Sequence, residues 1–408
     1  MPVGYWCPVL HAHLPFVRHP EHPDFLEEDW LYEALTECYV PLVRVLDGLE
    51  ADGVPGRLAL SVSPTLLEML EDDLLIGRYE RRLDGLIELS RIESERRSGA
   101  VRETARYYCE ELDAVRETFR GRYGSRLSRA LVAHRDAGRL ELMGSAATHA
   151  FLPHLASVPE AVRAQVATGV EHHELRLGRR PAGFWLPECG YAPGIESALH
   201  EAGVAYSFLE SHGLLHASPR PSWGVLAPVV SPGGVAFFGR DEASSREVWS
   251  ADVGYPGDPE YREFYRDAGF ELPESELRRF VGDGPRRGVG LKYHRVTGPV
   301  SLAEKQPYRR ERAVARAREH ALDFVERRRA RLRAAAQGMD RPPLAVSPYD
   351  AELFGHWWYE GPVFLDTVLR TLGSQGEVEL VTCGATRSAS WRGPRPPAGV
   401  GRAMRRSG

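Results

Sequence analysis

Apolar residues in this chain fall into short runs that alternate with longer stretches of helical spacing. "GYWCPVLHAHL" (4–14) reads as a buried strand whose end turns polar. "DWLYEALTECYVPLVRVLDGL" (29–49) carries its apolar residues at helical spacing. "GRLALSVSPTLLEML" (56–70) begins as a strand and becomes helical after Pro64. From about 71 to 139 the chain is charged and helical with no strand, which predicts a helical insertion. "LELMGSAATHAF" (140–151) predicts the next strand, followed by a helix through "PEAVRAQVATGVEHHELRLG". "PAGFWLPECGY" (181–191) and "AYSFLES" (205–211) are strands with the helix of "PGIESALHEAGV" between them. Late in the chain, "PLAVSPYDAELFGHWW" (343–358) supplies one more apolar strand, ending at Asp350.

A βαβα rhythm of this kind predicts a parallel α/β fold. In a β/α barrel the chemistry collects at the C-terminal ends of the strands. The strand ends here carry His11 and His13, then His149, Glu188, Glu210 and Asp350. Residues of about 212–300 are rich in Gly and Pro and read as a long irregular loop region, a length that usually signals function. An Arg-rich helix is expected over roughly 301–337. The division expected is a catalytic barrel over 1–300, including the insertion and the loop region. Residues 301–381 add the last barrel strand and the start of a helical C-terminal part. The tail 382–408 has six arginines, no acid and no periodicity, so it is expected to be disordered.

Composition excludes more than it selects. Net charge is −5, too mild for a general nucleic-acid binder. No run approaches the length of a membrane span, and the N-terminus lacks a basic signal-peptide region. The five cysteines are scattered with no CxxC pair, which suggests neither a disulfide framework nor a thiolate metal site and fits a reducing, cytoplasmic compartment. Basic residues are arginines apart from Lys292 and Lys305.

Two constellations carry candidate chemistry. Glu188 and Asp350 each close an apolar strand, and glycoside cleavage needs two carboxyl groups about the scissile bond. An aromatic setting raises a carboxyl pKa and suits the acid role, and Trp185, Tyr191, Trp249, Tyr349, Trp357 and Trp358 lie in or near these segments and could stack on sugars. The plainer alternative is strand-end carboxylates paired with arginines. His11 and His13 share one strand face, since side chains repeat every second residue. With His149, His294 and Asp350 they could hold a metal in an amidohydrolase-like site, or they could hydrogen-bond sugar hydroxyls. "EHHEL" (171–175) and the arginine runs 309–320 and 326–336 read as solvated helix faces, and Cys189 as packing.

"HAHLPF", "MGSAATHAFLP", "GFWLPECGY", "VWSADVGYPGDPEYREFYRD" and "SPYDAELFGHWWYEG" occur together and in that order. Over about residues 3–381 the chain thereby resembles glycoside hydrolase family 57, and within it the 1,4-α-glucan branching enzymes. The resemblance implies an incomplete (β/α)7 barrel with a helical insertion and a mostly helical C-terminal part. It implies a retaining mechanism on an α-1,4-glucan, with Glu188 as nucleophile and Asp350 as general acid/base, about 5–5.5 Å apart as retention requires. His11, His13 and His149 match donor-site histidines. Trp185, Trp249, Arg262, Arg266, His294 and Trp357 are implied substrate contacts. Neither a metal nor an organic cofactor is implied. Two departures qualify the expectation. The match fades near "VELVT", so a truncated or frameshifted C-terminal part is expected. Residues 211–240 hold Trp223, Phe237 and Phe238 but no Tyr, where branching members carry a Tyr-bearing loop that excludes water. Hydrolysis by an amylase-type enzyme, and a glucan-binding protein without turnover, therefore remain open alternatives.

Overall fold

A computed structural model describes residues 2–250, 252–281, 285–374 and 376–385. Its strands are β1 (Gly4–Ala12), β2 (Leu58–Val62), β3 (Leu140–Ser145), β4 (Gly183–Trp185), β5 (Tyr206–Leu209), β6 (Val229–Val230), β7 (Ala236–Gly239), β8 (Leu344–Asp350) and β9 (Val378–Leu380). They pair in the order β6-β7-β5-β4-β3-β2-β1-β8, with β9 added to the start of β1. All pairings are parallel except β6 with β7. The ring closes where Arg240, just past β7, bridges Val346 of β8, with the Asp241 amide donating to the Val346 carbonyl at 2.8 Å. Seven parallel strands thus form the incomplete (β/α)7 barrel.

Period-two alternation decides which side chains enter the lumen. On β1, Trp6, Leu10 and Ala12 pack outward against the helices, while Cys7 and Val9 pack into the barrel. His11 continues the inward row. On β8, Leu344 and Val346 face in, so Asp350 does too, two residues beyond Pro348. On β4, Phe184 faces out and Trp185 faces in. Register then places His11 opposite both Ser61 and Asp350. The lumen is apolar below and polar at its C-terminal rim, where a barrel enzyme keeps its chemistry.

The insertion is helical as expected, with helices Asp73–Arg96, Gly99–Arg116 and Leu127–Asp136. Asp72 caps the first by accepting from the Leu75 amide at 3.0 Å. The expected helix over 29–49 spans Glu28–Ala34 and Val40–Ala51 with a π-helical turn, Leu35–Tyr39, between them. The turn sits beside Pro41, which has no amide to donate. No helix among the described residues is long and apolar enough to cross a membrane.

Several expectations need correction. The 212–300 region is not simply irregular: it contains β6, β7 and the helices Glu242–Trp249 and Glu274–Val281. The four residues of β7 escaped because they are few and follow Pro232, Gly233 and Gly234 closely. The long helix starts at Arg310 and not near 301, because Ser301–Glu304 forms its own capping box and Pro307 follows. Its arginine face is not all solvated: Arg328 is buried and ion-paired to Glu247 at 2.8 Å. His173 is also buried, its ring bonded to the Arg179 carbonyl at 2.9 Å. Finally, 382–385 is packed. Cys383 lies in the barrel floor with its Sγ 3.5 Å from that of Cys7, and the Gly384 amide donates to Glu141 at 3.1 Å. The rest of the tail expected to be disordered, 386–408, lies outside the described residues.

Candidate active site

The rim of the barrel gathers three histidines and one tryptophan into a stack. His11 lies on Trp185 with ring centres 4.6 Å apart and planes 9° from parallel. His13 lies on His149 at 3.7 Å and 11°. His11 Nε2 and His149 Nε2 are 2.8 Å apart, so one ring donates and the other accepts. Ser61 and Ser63, on and just after β2, fix the other faces through His11 Nδ1 (3.2 Å) and His13 Nδ1 (2.9 Å). Burial pushes all three imidazole pKa values down, with neighbouring rings adding at His11 and His149: His13 to about 4, His149 to about 3, and His11 well below its usual value. At neutral pH the cluster is therefore uncharged. It offers hydrogen-bonding edges and flat faces, which suit hydroxyl groups and a sugar ring.

Glu188 stands at the next strand end. Pro187 stops β4, and Glu188 and Cys189 follow with φ of +56° and +51°. His149 has φ +54°. Left-handed conformations of non-glycine residues cost about 1–3 kcal/mol each and cluster at functional sites. Three of them at one rim point to a backbone held against its preference to aim these side chains. Glu188 is exposed to solvent, whereas Cys189 is buried, and burial pushes its thiol up to about 12. That thiol is no nucleophile at neutral pH.

Asp350 lies across the rim. Burial and the nearby charge of Glu188 push its pKa up to about 6, against the opposing pull of Arg240. Arg240 is held by Glu210 Oε1 at 2.8 Å and donates to the Pro348 carbonyl at 2.7 Å, so it braces the strand that carries Asp350. Two residues on, Glu352 accepts from Tyr39 Oη and from the His13 amide at 3.2 Å. Burial pushes its carboxyl up to about 7, with Tyr39 opposing and Asp350 adding. Tyr39 comes from the π-helical turn, a feature often found at functional sites. Gly355 completes the turn after Glu352 with φ +123°, and any side chain there would strike the Glu37 carbonyl.

The structure thus brings together Glu188, Asp350, His11, His13, His149 and Trp185. It adds Arg240, Glu352, Tyr39, Ser61 and Ser63, and sets Glu210, expected at a strand end, against Arg240. Arg240 could have been found once β7 was recognised, since it is that strand's tip. The remaining implied contacts sit elsewhere. Arg262 is buried, ion-paired to Glu37 at 2.8 Å and packed 3.7 Å over the Tyr359 ring. A guanidinium committed in this way has no face left for substrate, so its role as a contact is corrected to a structural one. Arg266 binds Glu271 (2.6 Å) and the Leu302 carbonyl (2.9 Å), and its charge acts on the nearby His294. Trp357 stacks on Phe264 at 4.7 Å and is 58% exposed, and Trp249 ends its helix 46% exposed. Neither is in direct contact with the histidine stack.

The Glu37–Arg262 pair yields a stability prediction. Burial works to raise the Glu37 carboxyl, but Arg262, Lys292 and His356 together overcome it and hold the group down at about 2. Arg262→Met is expected to destabilise the fold by about 3–5 kcal/mol, because it strands a buried charge. Urea midpoints at pH 7 would check this. Glu37's folded pKa lies below its unfolded one, so its contribution is present above about pH 4.5 and fades as pH falls toward 2. The deficit of the variant should shrink over that window.

The metal-site reading of the histidines finds four of the six ring nitrogens already engaged with one another and with serines. Among the described residues the one trio with ligand atoms mutually within 4.8 Å is Asp47, Glu50 and His134. Arg122 and Arg139 already bind those carboxylates, at 3.2 and 3.3 Å.

Comparison with known proteins places this geometry. The family model for glycosyl hydrolase family 57 matches residues 9–388. A 1,4-alpha-glucan branching enzyme of Thermococcus kodakarensis is 34% identical over 91% of this chain and 56% of its own length. The chain therefore spans little more than half of that relative. The crystal structure of the alpha-amylase AmyC from Thermotoga maritima superposes with a TM-score of 0.91 at 39% identity, covering 95% of this chain and 74% of that one. A GH57-type branching enzyme from Pyrococcus horikoshii superposes at 0.85 with 33% identity, covering 96% and 72%. With nearly its whole described length matched and its barrel rim carrying the carboxyl pair and the histidine stack, this chain belongs to glycosyl hydrolase family 57.

Proposed function

We propose that this chain is a retaining enzyme of α-1,4-glucans that works as a branching transglycosylase, with Glu188 as nucleophile and Asp350 as general acid/base. The observation that carries the reading is the asymmetry of the pair. Asp350 is buried beside the charge of Glu188 and its pKa is pushed up to about 6, while Glu188 is exposed to solvent just past the end of β4. A carboxyl whose surroundings keep a proton on it suits the acid role. The neutral stack of His11, His13, His149 and Trp185 receives the sugar whose bond is cut.

The chemistry follows. Asp350 gives its proton to the glycosidic oxygen as a Glu188 oxygen attacks the anomeric carbon, forming a glycosyl ester and releasing the leaving chain. Asp350, now ionised, takes the proton of the acceptor hydroxyl. That oxygen displaces Glu188 from the same carbon. A glucan 6-hydroxyl as acceptor makes an α-1,6 branch; water gives hydrolysis. Arg240 stabilises the ionised Asp350 between the two half-reactions. No metal or organic cofactor enters any step. Such a reaction belongs to the building of glycogen-like glucan, and the five free thiols suit a cytoplasmic setting. Hydrolysis is the second reading. It is supported by the likeness to an alpha-amylase and by the lack of a Tyr over 211–240.

Counting reducing ends on amylose before and after debranching with isoamylase decides between them. New ends only after debranching support branching. Ends without debranching support hydrolysis. Activity equal to that of Glu188→Gln sinks both.

A pH prediction arises from Asp350. Activity needs this acid protonated, so kcat/KM should fall with an apparent pKa near 6 on the alkaline side. The Arg240 charge favours the carboxylate. Arg240→Met should therefore move that limb upward, by about one unit. A limb that stays in place, or moves down, contradicts the assigned electrostatics.

A further inference from the structure

A second cleft, of about 80 Å³, lies at the seam between the helical insertion and the helix that follows β1. One water needs about 10–15 Å³ by the same kind of measure, so the space admits a ring-sized molecule. Its walls come from helix Glu28–Ala34 and the π turn, from helices Asp73–Arg96 and Gly99–Arg116, and from segments around Val289 and Tyr359. None of its lining residues belongs to the carboxyl pair or the histidine stack.

The lining is unusual in what it leaves unpaired. Arg310 Nη1 is buried without a hydrogen-bond partner, and its guanidinium lies over the rings of Tyr107 (4.9 Å) and Tyr359 (5.7 Å). Glu33 accepts no hydrogen bond among the described residues. The nearest ring nitrogen is His356 Nδ1, at 3.9 Å. Burial pushes the Glu33 carboxyl up, with Glu37 adding. A strong donor and a strong acceptor therefore share one half-buried cleft beside phenol rings, and neither is satisfied by the protein.

The chemistry of the walls narrows the occupant. Arg82 and Arg310 disfavour a metal ion. Asp29, Glu33, Glu37 and Glu111 disfavour a phosphate or other anion. The charges disfavour an alkyl chain. A neutral ring bearing several hydroxyls fits: each hydroxyl can donate to Glu33 and accept from Arg310, and its C–H face can lie against Tyr107. We infer that this cleft is a second, non-catalytic carbohydrate site that takes one or two glucose units of a glucan. The choice of glucose rests on the proposed function; the cleft's preference for a neutral polyol does not. The cleft also backs on to the segment that follows Asp350, since Glu37 on its wall holds His356 Nδ1 at 2.8 Å. A chain end anchored here would raise the local concentration of glucan near the barrel without contacting the reacting bond.

The test is calorimetric titration of maltose into the Glu188→Gln protein, where nothing is turned over. Two sites are expected. Arg310→Ala and Glu33→Gln should each weaken one of them at least tenfold and leave the other unchanged. Amide exchange in 28–37 and 104–112 should slow on saturation in the parent and not in the variants. Turnover of a short soluble maltooligosaccharide by the otherwise unaltered enzyme should stay within twofold for both variants. One site, insensitive to Arg310→Ala and Glu33→Gln, overturns the second site and leaves the proposed function standing. Binding at neither site overturns both.

Discussion

Exchanging Glu188 for glutamine is expected to lower kcat on amylose on the order of 10⁴-fold, with KM changed only a few-fold. Glutamine keeps the shape and one acceptor oxygen, so the left-handed turn at Glu188 and Cys189 has no reason to rebuild. What it loses is the charge that attacks the anomeric carbon and the ability to form and release an ester. The stack of His11, His13, His149 and Trp185 is untouched, so ground-state binding should survive. That split between kcat and KM separates a chemical role from a structural one. A second readout comes from Asp350. Burial and the charge of Glu188 push the Asp350 carboxyl up. Removing that charge should lower the Asp350 pKa, so any residual activity should lose its alkaline limb at lower pH than the parent. If Glu188→Gln retains the parent kcat, the nucleophile lies elsewhere and the retaining reading fails with it.

Much of this site was legible because barrel chemistry sits at strand tips, and strand tips can be read as the polar ends of apolar runs. His11, Glu188 and Asp350 were found in that way; the register that sets His11 opposite Asp350 was not, because both strands are buried on both faces and read as continuous apolar runs. What escaped was set by contacts distant in sequence. Arg240 and its brace to Glu210 depended on β7, whose four residues are too short for a periodic signal. Glu352 looks like any polar residue after a strand until Tyr39, from a π turn more than 300 positions away, closes on it. Arg262 was misplaced for the opposite reason. An arginine in an aromatic motif resembles a sugar ligand, and only the fold shows it spent on Glu37. The same holds for Arg328 and His173, where a helical charge pattern cannot tell a solvated face from one that meets a buried partner.

Asp350→Ala provides the sharper test of the division of labour, because its effect depends on the leaving group. On amylose, whose leaving alkoxide needs a proton, the first step should slow by about 10²–10⁴-fold. On an aryl α-glucoside with an acidic phenol the first step needs little protonation and should proceed near the parent rate. The glycosyl ester on Glu188 should then accumulate, because no base remains to activate water or a glucan hydroxyl. A burst of phenol followed by a slow steady state is the expected trace. Azide, an anion that needs no proton removed, should relieve the block by attacking the anomeric carbon and expelling the Glu188 carboxylate. Two inversions at that carbon give the α-glucosyl azide. In Glu188→Ala, azide would instead take the nucleophile's place and displace the phenol once, giving the β-azide. The two products differ in the coupling of their anomeric proton, so one spectrum of each variant fixes which carboxyl does what. Reversal of the pattern would exchange the roles of Glu188 and Asp350. β-Azide from both would show a single displacement and remove the retaining mechanism. The structural asymmetry argues for Glu188 as attacker and Asp350 as donor: the first is exposed at the barrel rim, and the burial of the second keeps a proton on it near pH 6.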